Sequence, residues 1–229
     1  MSLVLSPLLV YVALLVFIIF GILVYCYIAN LNKINSDIAI LQKDNPTEGE
    51  IQDLLVQKQP TIFADVLYEW EAVAEIFDMP LELITELLAA KTFVDLLTDH
   101  LNPYAMLFSR GWKFQASERT ADTYKESNFR LESNHRHLIA QITGIQRVYI
   151  ASPNQTNFMV PVETSRNITR CSVDFFNPPD DAVEFNKLQY MEIVLREGNL
   201  LYIPRGWWYV QKVEAPSLVL ECVNESLFS

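Results

Sequence analysis

The stretch "EGNLLYIPRGWWYVQ", from Glu197 to Gln211, has the composition of two short strands on either side of a Pro/Gly corner. Gly198 lies at the turn before the first strand, where a positive φ, which only glycine adopts readily, would be useful. The runs "LLYIP" and "WWYVQ" are apolar and β-prone, and Pro204 and Gly206 interrupt them. The stretch therefore predicts two strands joined by a tight corner, with Tyr209 just after the corner.

Further short strands are predicted on both sides of this stretch. Residues 51–103 have mainly helical patterns, with Pro80 suited to the first turn of "PLELITELLAA". From residue 104 to about residue 225 the pattern changes to β-prone runs between turn residues, namely "AMLFS", "HLIAQIT", "QRVYIAS", "NFMVPV", "YMEIVL", "NLLYIP", "WWYVQKV" and "SLVLECV". So many short strands predict an α+β fold in which helices precede a β-barrel or jelly roll, that is, a double-stranded β-helix.

The N-terminal 32 residues contain no charged side chain, and Leu8 to Ile28 is almost unbroken in apolar character. As an α-helix this run would extend about 31 Å, which matches the hydrocarbon thickness of a bilayer. A cleaved signal peptide is the alternative, but the run is longer than a signal core, no Lys or Arg precedes it, and no small-residue cleavage motif follows it. We therefore predict a single-pass membrane anchor over residues 1–32, with residues 8–28 in the bilayer.

The segment after the anchor is predicted to be a short helix and a linker. Apolar residues recur at spacings of three, four and three between Leu31 and Leu41, which is a helical pattern. The polar stretch "KDNPTEGE", from Lys43 to Glu50, contains Pro and Gly and predicts a break. We therefore assign residues 33–50 to a juxtamembrane helix and linker, and residues 51–229 to the folded domain.

The charge distribution and the cysteines narrow the classes of function. The whole net charge of −11 lies after residue 32, and an acidic surface repels phosphates, so nucleic acid is excluded as a general partner. Cys26, Cys171 and Cys222 are far apart in sequence and give neither a disulfide framework nor paired metal spacing. Lys33 and Lys43 follow the span and favour the cytoplasmic or matrix-like side for the domain.

Three glycosylation sequons begin at Asn154, Asn167 and Asn224. They would matter only if the domain faced a secretory lumen. The sequence leaves their glycosylation open, as it does the organism, the membrane and the partner proteins.

Three segments of the chain resemble JmjC-type, cupin-like dioxygenases. The opening stretch resembles the family segment G-D-[hydrophobic]-x-[FY]-I-P-x-G-W-W-H. "HLIAQITGIQRVYIASP", from His137 to Pro153, is similar to the family strand pair N-L-x-x-Q-x-x-G-x-K-R-x-x-L-F-P-P. "QKQPTIFADVLYEWEAV", from Gln57 to Val73, is similar to the opening of the family domain. The matches occur in family order and together span residues 57–223.

The resemblance implies a specific set of functional positions. In the family a His-x-Asp pair and a distal His form a facial triad for Fe(II), next to the cosubstrate 2-oxoglutarate. With Gly144 fixing the register, the first two ligand positions fall on Leu131 and Ser133, and the distal position falls on Tyr209. The family lysine that pairs with the cosubstrate carboxylate falls on Gln146. Because none of these side chains is a good Fe(II) ligand or a cation, they predict a degenerate site and a pseudoenzyme without a cofactor.

A second interpretation gives the domain a metal site of its own. His135 and His137 are two residues apart, so they point to the same face of a strand. The wider cupin superfamily uses an H-x-H pair, a following Glu and a later His, which by resemblance would correspond here to His135, His137, Gln141 and Tyr209. Two imidazoles, an amide and a phenol would form a weak divalent-metal site. The alternative is that both histidines are ordinary strand or turn residues.

Trp207 and Trp208 are adjacent, so in a strand their rings would point to opposite faces. We expect the inward ring to fill volume that a metal and cosubstrate would otherwise occupy. We expect the outward ring to pack on the N-terminal helices or on a partner protein, where tryptophan is enriched. Solvated strand faces are the simplest interpretation for Glu192, Glu197 and Glu221.

The sequence thus predicts a membrane-anchored, catalytically inactive cupin/JmjC-like protein. It would act as a structural or accessory subunit of a larger membrane-associated assembly, such as a respiratory-type complex or a large-virus particle. Two alternatives stay open. One is a membrane-anchored, metal-dependent hydroxylase with an atypical site for Fe(II) or another divalent metal, using 2-oxoglutarate. The other is a barrel that keeps a small-molecule pocket without a metal.

Overall fold

The computed structural model describes residues 7–32, 34–69, 112–122, 124–132, 136–165 and 168–224. The chain divides into two compact units, one from Met1 to Ile34 and one from Asn35 to Leu227. The helix predicted to begin at Pro80 and the predicted strand "AMLFS" lie outside the described residues.

The first unit consists of helix α1, Pro7–Asn32. Its stretch Tyr11–Ala29 has a mean hydropathy of 2.8, and none of that stretch is buried in the protein. By length and composition α1 can therefore cross a membrane, which is the part of the anchor prediction that the helix supports.

The second unit contains helix α2, Glu48–Gln57, and is otherwise mostly β-structure in its described part. Its strands, in chain order, are β1 Leu41–Asp44, β2 Thr61–Ala64, β3 Trp112–Arg119, β4 Asn128–Glu132, β5 Arg136–Thr143, β6 Ile145–Ala151, β7 Pro161–Ser165, β8 Ile168–Asp174, β9 Met191–Arg196, β10 Leu200–Pro204, β11 Trp208–Val213 and β12 Ser217–Asn224. Short 3₁₀ helices follow β2, β6 and the loop after β8, at Val66–Glu69, Pro153–Phe158 and Phe185–Lys187.

The strands form two six-stranded sheets. The first has the order β1-β2-β10-β5-β12-β3, and the second has the order β7-β8-β4-β11-β6-β9. The two strands of the opening stretch, β10 and β11, belong to different sheets, so the Pro/Gly corner carries the chain from one sheet to the other. The predicted β-rich domain is thus confirmed as a β-sandwich preceded by an N-terminal helix.

The hydrophobic core lies on both faces of the second sheet. One cluster takes side chains from both sheets, including Ile139, Leu201 and Val219 of the first sheet and Val148 and Ile193 of the second. A second cluster covers the opposite face of the second sheet. It is built from residues of β4, β6, β8 and β11, together with Met159 and Phe185 from the connecting segments. Strand β11 is therefore buried on both faces, which explains why its sequence does not alternate between apolar and polar residues.

The juxtamembrane segment differs from its prediction. Residues 34–40 contain no helix, and the next residues form β1, whose Leu41 amide donates to the Pro60 carbonyl (3.0 Å). The predicted linker instead begins α2, because Thr47 is an N-cap that exchanges hydrogen bonds with Glu50 in a capping box. The second compact unit therefore begins at Asn35 and not near residue 50. A periodicity carried by so few residues fits a helix and an edge strand equally well.

Two glycines hold turns that other residues could not adopt without strain. Gly144 joins β5 to β6 with a φ of +80°, and a Cβ there would lie 2.2 Å from the Pro216 carbonyl oxygen. Gly198 has a φ of +83°, and a Cβ would lie 2.3 Å from the ring of Tyr68. Positive φ and close approach together select glycine at both turns.

Candidate active site

A small cavity lies next to the Pro/Gly corner of the opening stretch. It has a volume of about 10 Å³ and is lined by Glu132, His137, Ile203, Pro204, Trp207 and Tyr209. Glu132 ends β4, His137 is the second residue of β5, and Tyr209 is the second residue of β11. A space of this size holds about one water molecule or one ion.

Tyr209 and Glu132 form a hydrogen-bonded pair in this wall. The buried Tyr209 hydroxyl donates to Glu132 Oε1, and the Arg130 guanidinium lies 4.5 Å from the centre of the Tyr209 ring. Burial raises the pKa of Tyr209 and Glu132 raises it further, so that despite the charge of Arg130 the pKa lies well above its ordinary value. Burial also raises the pKa of Glu132, but His137, Arg130 and the hydrogen bond from Tyr209 outweigh this and hold it below its ordinary value. Near neutral pH the pair is therefore a neutral phenol donating to a carboxylate.

His137 faces the same carboxylate without bonding to it. Its residue is only 3% exposed, and neither ring nitrogen has a hydrogen-bond partner among the described residues. The distance from His137 Nδ1 to Glu132 Oε2 is 3.6 Å, too long for a hydrogen bond. A buried imidazole with two unsatisfied nitrogens is unusual, because buried polar groups are normally paired.

A buried network of ion pairs adjoins this cavity. Glu221 Oε1 accepts from Arg119 Nη2 at 2.8 Å and from Arg130 Nη2 at 3.0 Å. Arg130 also pairs with Glu126 at 3.1 Å and with Glu132 at 3.5 Å. Burial raises the pKa of Glu221, but the two guanidiniums, together with His137, overcome it and leave the pKa well below its ordinary value. The network therefore keeps Glu221 ionised inside the sandwich.

Gln146, the position predicted to have lost the cosubstrate lysine, belongs to the same network. The side chain is fully buried, and its Oε1 lies 3.5 Å from Arg119 Nη1. Its Nε2 is a buried donor with no partner among the described residues. Arg119 donates further hydrogen bonds to Ser117 and Gln211, so its guanidinium is heavily engaged.

The structure brings together only part of the predicted metal set. His137 and Tyr209 line one cavity, whereas Gln141 lies at the other end of β5, where its side-chain Nε2 donates to the Thr143 carbonyl (2.7 Å). Gln141 is four residue steps along the strand from His137, which is about 13 Å. The prediction that Gln141 is a ligand of the same metal site is therefore wrong. His135 lies outside the described residues. Groups of three or more His, Cys, Asp or Glu side chains that could hold a metal are absent from the described part of the chain.

The structure does not bring the residues of the predicted degenerate triad together. Leu131 is half-buried and packs against the outer core cluster with Trp208, on the face opposite Tyr209, and Ser133 lies outside the described residues. Glu132, between the two, faces the cavity. Counting residues back from Gly144 assigned the ligand positions to Leu131 and Ser133. It therefore missed Glu132, the carboxylate of β4 that lines the cavity.

Neither tryptophan offers an exposed partner-binding surface. Trp207 and Trp208 are each 1% exposed. Trp207 packs in the inner core and donates from Nε1 to the Asn35 carbonyl (3.0 Å), whereas Trp208 packs in the outer core and donates to Thr156 Oγ1 (3.0 Å). The expectation that the inward ring fills space beside the site agrees with the lining of the cavity. The expectation that the outward ring meets a partner is corrected, because the chain itself covers that ring.

Sequence reasoning did not single out Glu132, Arg119 or Arg130. One signal was present in β4, "NFRLE", where Phe129 and Leu131 alternate with Arg130 and Glu132. The usual interpretation of this alternation is a solvated charged face. The second sheet has a core on each face, so the charged face of β4 is buried too.

Parts of the chain are similar to known proteins. Residues 124–222 match the family model of the cupin-like domain. Jumonji C domain-containing protein 5 of Drosophila melanogaster is 27% identical over 82 residues, which are 35% of this chain and 20% of that protein. Lysine-specific demethylase 8 of Danio rerio is 31% identical over 83 residues, which are 34% of this chain and 20% of that protein. The ribosomal oxygenase YcfD of Escherichia coli superimposes with a TM-score of 0.36 and 13% identity, over 57% of this chain and 28% of that one.

These comparisons contradict two predictions from the sequence. The matched relatives include a lysine-specific demethylase, so the prediction that the chain is not an enzyme is corrected. JmjC oxygenases use Fe(II) and 2-oxoglutarate, so the prediction of no cofactor is corrected with it. The expected loss of function was argued from Leu131, Ser133, Gln146 and Tyr209, and that argument left out Glu132, the carboxylate that lines the cavity.

The matches are partial, because the chain spans about a fifth of the length of the curated relatives that it matches. The region matched by the family model, residues 124–222, contains all the residues that line the cavity. The chain therefore carries a β-sandwich, cupin-like domain behind an N-terminal helix that is a candidate membrane span by its length and composition.

Proposed function

We propose that the protein is a membrane-anchored, cupin/JmjC-like, metal-dependent hydroxylase with an atypical metal site. The observation that carries this proposal is the arrangement of His137 and Glu132 around the small cavity. Both are good ligand types for a divalent transition metal, and they come from neighbouring strand ends of the two sheets.

The separation of the two donors supports a shared metal ion. Ligand bonds from imidazole nitrogen and carboxylate oxygen are about 2.0–2.2 Å long, so two ligands at a tetrahedral angle are roughly 3.4 Å apart. His137 Nδ1 and Glu132 Oε2 are 3.6 Å apart, and neither imidazole nitrogen has another described partner. The cavity volume of about 10 Å³ also suits a single ion. His137 and Glu132 would therefore hold the metal, and the neutral phenol of Tyr209 is a weaker third donor.

A bound Fe(II) would supply the capacity to activate oxygen for hydroxylation. The surrounding residues prepare this position in specific ways. The Tyr209 hydroxyl stays protonated and donates a hydrogen bond to Glu132 Oε1. The other carboxylate oxygen, Oε2, is left directed towards His137. Trp207 and Ile203 contribute apolar surface to the lining of the cavity.

The described residues do not fit a dicarboxylate cosubstrate as well as they fit the metal. Gln146 carries no charge, and Arg119, the adjacent cation, already donates to Ser117, Gln211 and Glu221. A free cation facing the Gln146 position is therefore absent from the described part of the site.

Metal binding by the purified full chain tests the proposal. The chain would be prepared in a mild detergent without oxygen and titrated with Fe(II), or with Mn(II) so that paramagnetic resonance reports the bound ion. We expect about one metal ion per chain, with affinity at least about tenfold weaker in His137→Ala and in Glu132→Gln, in the range found for ligand and near-ligand changes. Glu192→Gln is the matched control, because that carboxylate is exposed on β9. A wild-type chain that binds no metal, or equal affinity in all four proteins, would refute the proposal.

We further propose that α1 places residues 8–28 in the bilayer, with the domain on the cytoplasmic or matrix-like side and in contact with other proteins of that membrane. The apolar, fully exposed stretch Tyr11–Ala29 supports this location. Carbonate extraction and protease protection of a C-terminally tagged chain in cells test it. Release into the carbonate supernatant would contradict the anchor, and a tag protected on the lumenal side would contradict the orientation.

A further inference from the structure

Strands β4 and β11 separate towards one end of the second sheet. Their pairing covers two residues of each strand and ends at Arg130 and Tyr209, whereas β11 stays paired with β6 as far as Val213. Residues 124–127 and 210–213 share no backbone hydrogen bond in the described part of the chain. The edge of residues 210–213 that faces β4 is therefore open, although it lies in the middle of a six-stranded sheet.

The chain before β4 follows its other neighbour, β8. The register between β4 and β8 shifts between Asn128 and Arg130, as it does at a bulge that bends a strand. Before this shift, the Phe175 amide donates to the Ser127 carbonyl (2.7 Å). The backbone at residue 127 is thus held by the segment that follows β8, and a gap separates it from β11.

A cleft of about 320 Å³ occupies this gap. Residues 124–127 line it on one side, and residues 211–213 line it on the other. The open edge from Val210 to Val213 covers three residue rises, about 10 Å, which is enough to pair with an extended segment of three to four residues. The residues that line the cavity beside His137 do not line this cleft, so the two sites are separate.

The β11 side chains at the cleft point alternately to the two faces of the sheet. Gln211 lies between the sheets, where its Oε1 accepts from Arg119 and from the Tyr124 hydroxyl (3.1 Å). Lys212 lies on the outer face, with its Nζ 5.4 Å from the centre of the Phe176 ring. The contact between Gln211 and Tyr124 therefore closes the inner side of the cleft, and a cation stands on the outer side.

Two cations at the cleft have no acidic partner. Lys125 and Lys212 both line the cleft, and neither forms an ion pair with a described residue. The carboxylates of the lining are already engaged. Glu126 pairs with Arg130 at 3.1 Å, and Asp174 accepts hydrogen bonds from two backbone amides. The uncompensated charge of the lining is therefore positive, in a chain whose net charge is −11.

We propose that an extended acidic segment of another protein binds in this cleft as an added strand, pairing its backbone with residues 210–213. In this mode of recognition, main-chain hydrogen bonds to an open strand edge give affinity, and alternate side chains give specificity. Side chains that face Gln211 are small, because its contact with Tyr124 closes that side. Side chains on the face of Lys212 are acidic, because that cation has no partner carboxylate. The segment therefore has the pattern acidic–small–acidic.

Binding of a designed peptide to the full chain in a non-ionic detergent tests the proposal. The peptide acetyl-Thr-Glu-Ala-Glu-Thr-amide would be titrated by calorimetry at low ionic strength, and we expect saturable binding of one peptide per chain. Replacing both of its glutamates by lysine should weaken binding at least about fivefold, because charge complementarity is lost. Methylating the amide nitrogen of its alanine should weaken binding by a similar factor, because a strand hydrogen bond is lost while the charges stay.

Two variants of the chain locate the binding site. The double variant Lys125→Glu/Lys212→Glu should bind the acidic peptide at least about tenfold more weakly, since both cations become repulsive. Lys187→Glu is the matched control, because Lys187 is an exposed lysine outside the cleft that pairs with Glu184. Its affinity for the peptide should equal that of the wild type. All three lysines are exposed, so the folded domain should be kept.

Hydrogen exchange gives a second measurement of the same site. Amide exchange within residues 210–213 should slow when the acidic peptide is bound, because the added strand protects this edge. A wild-type chain that does not bind the peptide, or that binds the N-methylated peptide equally well, would overturn the proposal. An equal loss of affinity in Lys187→Glu and in the double variant would also overturn it. The outcome is independent of the metal-binding test, because the cleft and the cavity share no lining residue.

Discussion

Replacing Arg130 by methionine should strongly destabilise the domain. The Arg130 guanidinium pairs with Glu221 at 3.0 Å, with Glu126 at 3.1 Å and with Glu132 at 3.5 Å. Methionine keeps an apolar stem of similar length but removes the guanidinium charge that all three carboxylates share, and Arg119 pairs only with Glu221 among them. Breaking a buried ion pair by removing one partner costs about 3–5 kcal/mol, because the remaining charge is left buried without compensation.

Urea unfolding of the full chain in detergent, followed by tryptophan fluorescence, measures this loss. With an m-value of about 2 kcal/mol per molar urea, a loss of about 4 kcal/mol lowers the unfolding midpoint by about 2 M. Arg130→Lys keeps the charge but loses the planar fork of donors, so its midpoint should fall between those of the wild type and Arg130→Met.

Arg147→Met is the control for this experiment. Arg147 also contacts two carboxylates, Glu192 and Glu214, but its side chain is 39% exposed. Water and salt screen such a pair, so its removal should change the midpoint little. If Arg130→Met and Arg147→Met unfolded at the same urea concentration, the conclusion that the Arg130 network is buried and stabilising would be wrong.

Three further predictions concern the turn, the corner and the pH dependence. Gly144→Ala should lower the Tm markedly in thermal unfolding, because a Cβ would meet the Pro216 carbonyl at 2.2 Å; a Tm equal to that of wild type would contradict the turn geometry. Trp207→Phe keeps a ring but loses the hydrogen bond to Asn35 and should cost about 1–3 kcal/mol in urea unfolding; an unchanged midpoint would refute this role. The pKa of Glu221 is lowered in the folded state, so the ionised Glu221 carboxylate stabilises the folded domain above the unfolded-state pKa of about 4.3. This contribution to the free energy of unfolding is lost as the pH falls below that value. Stability measured from pH 7 to pH 3 should therefore fall less steeply in Glu221→Gln, and equal slopes would argue against the assignment.

The β-rich fold could be predicted because the relevant signals are local. Short β-prone runs, the turn glycines and the Pro/Gly corner depend on the backbone preferences of a few adjacent residues. Gly144 and Gly198 do adopt the positive φ that their turn positions suggested. The apolar run of α1 is equally local, since length and hydropathy are properties of the segment itself.

The juxtamembrane helix could not be decided in this way. The apolar spacing between Leu31 and Leu41 is compatible with a helix, but residues 34–40 form neither helix nor strand, and Leu41 begins strand β1, which pairs with β2. That pairing partner lies about twenty residues further along the chain. Local periodicity contains no information on such a partner, and tertiary pairing overrides weak propensity.

The sequence by itself determined the apolar helix, the strand-rich domain and the corner that presents Tyr209. Only the tertiary structure decided which side chains meet there. Glu132 and Glu221 are about ninety residues apart in sequence, yet both contact Arg130. They do so because β4 and β12 belong to opposite sheets of the sandwich, whose inner faces bring their side chains together. Sequence spacing fixes the face on which a residue lies, but only the packing of the two sheets places His137 beside the carboxylate of Glu132 and not beside Gln141.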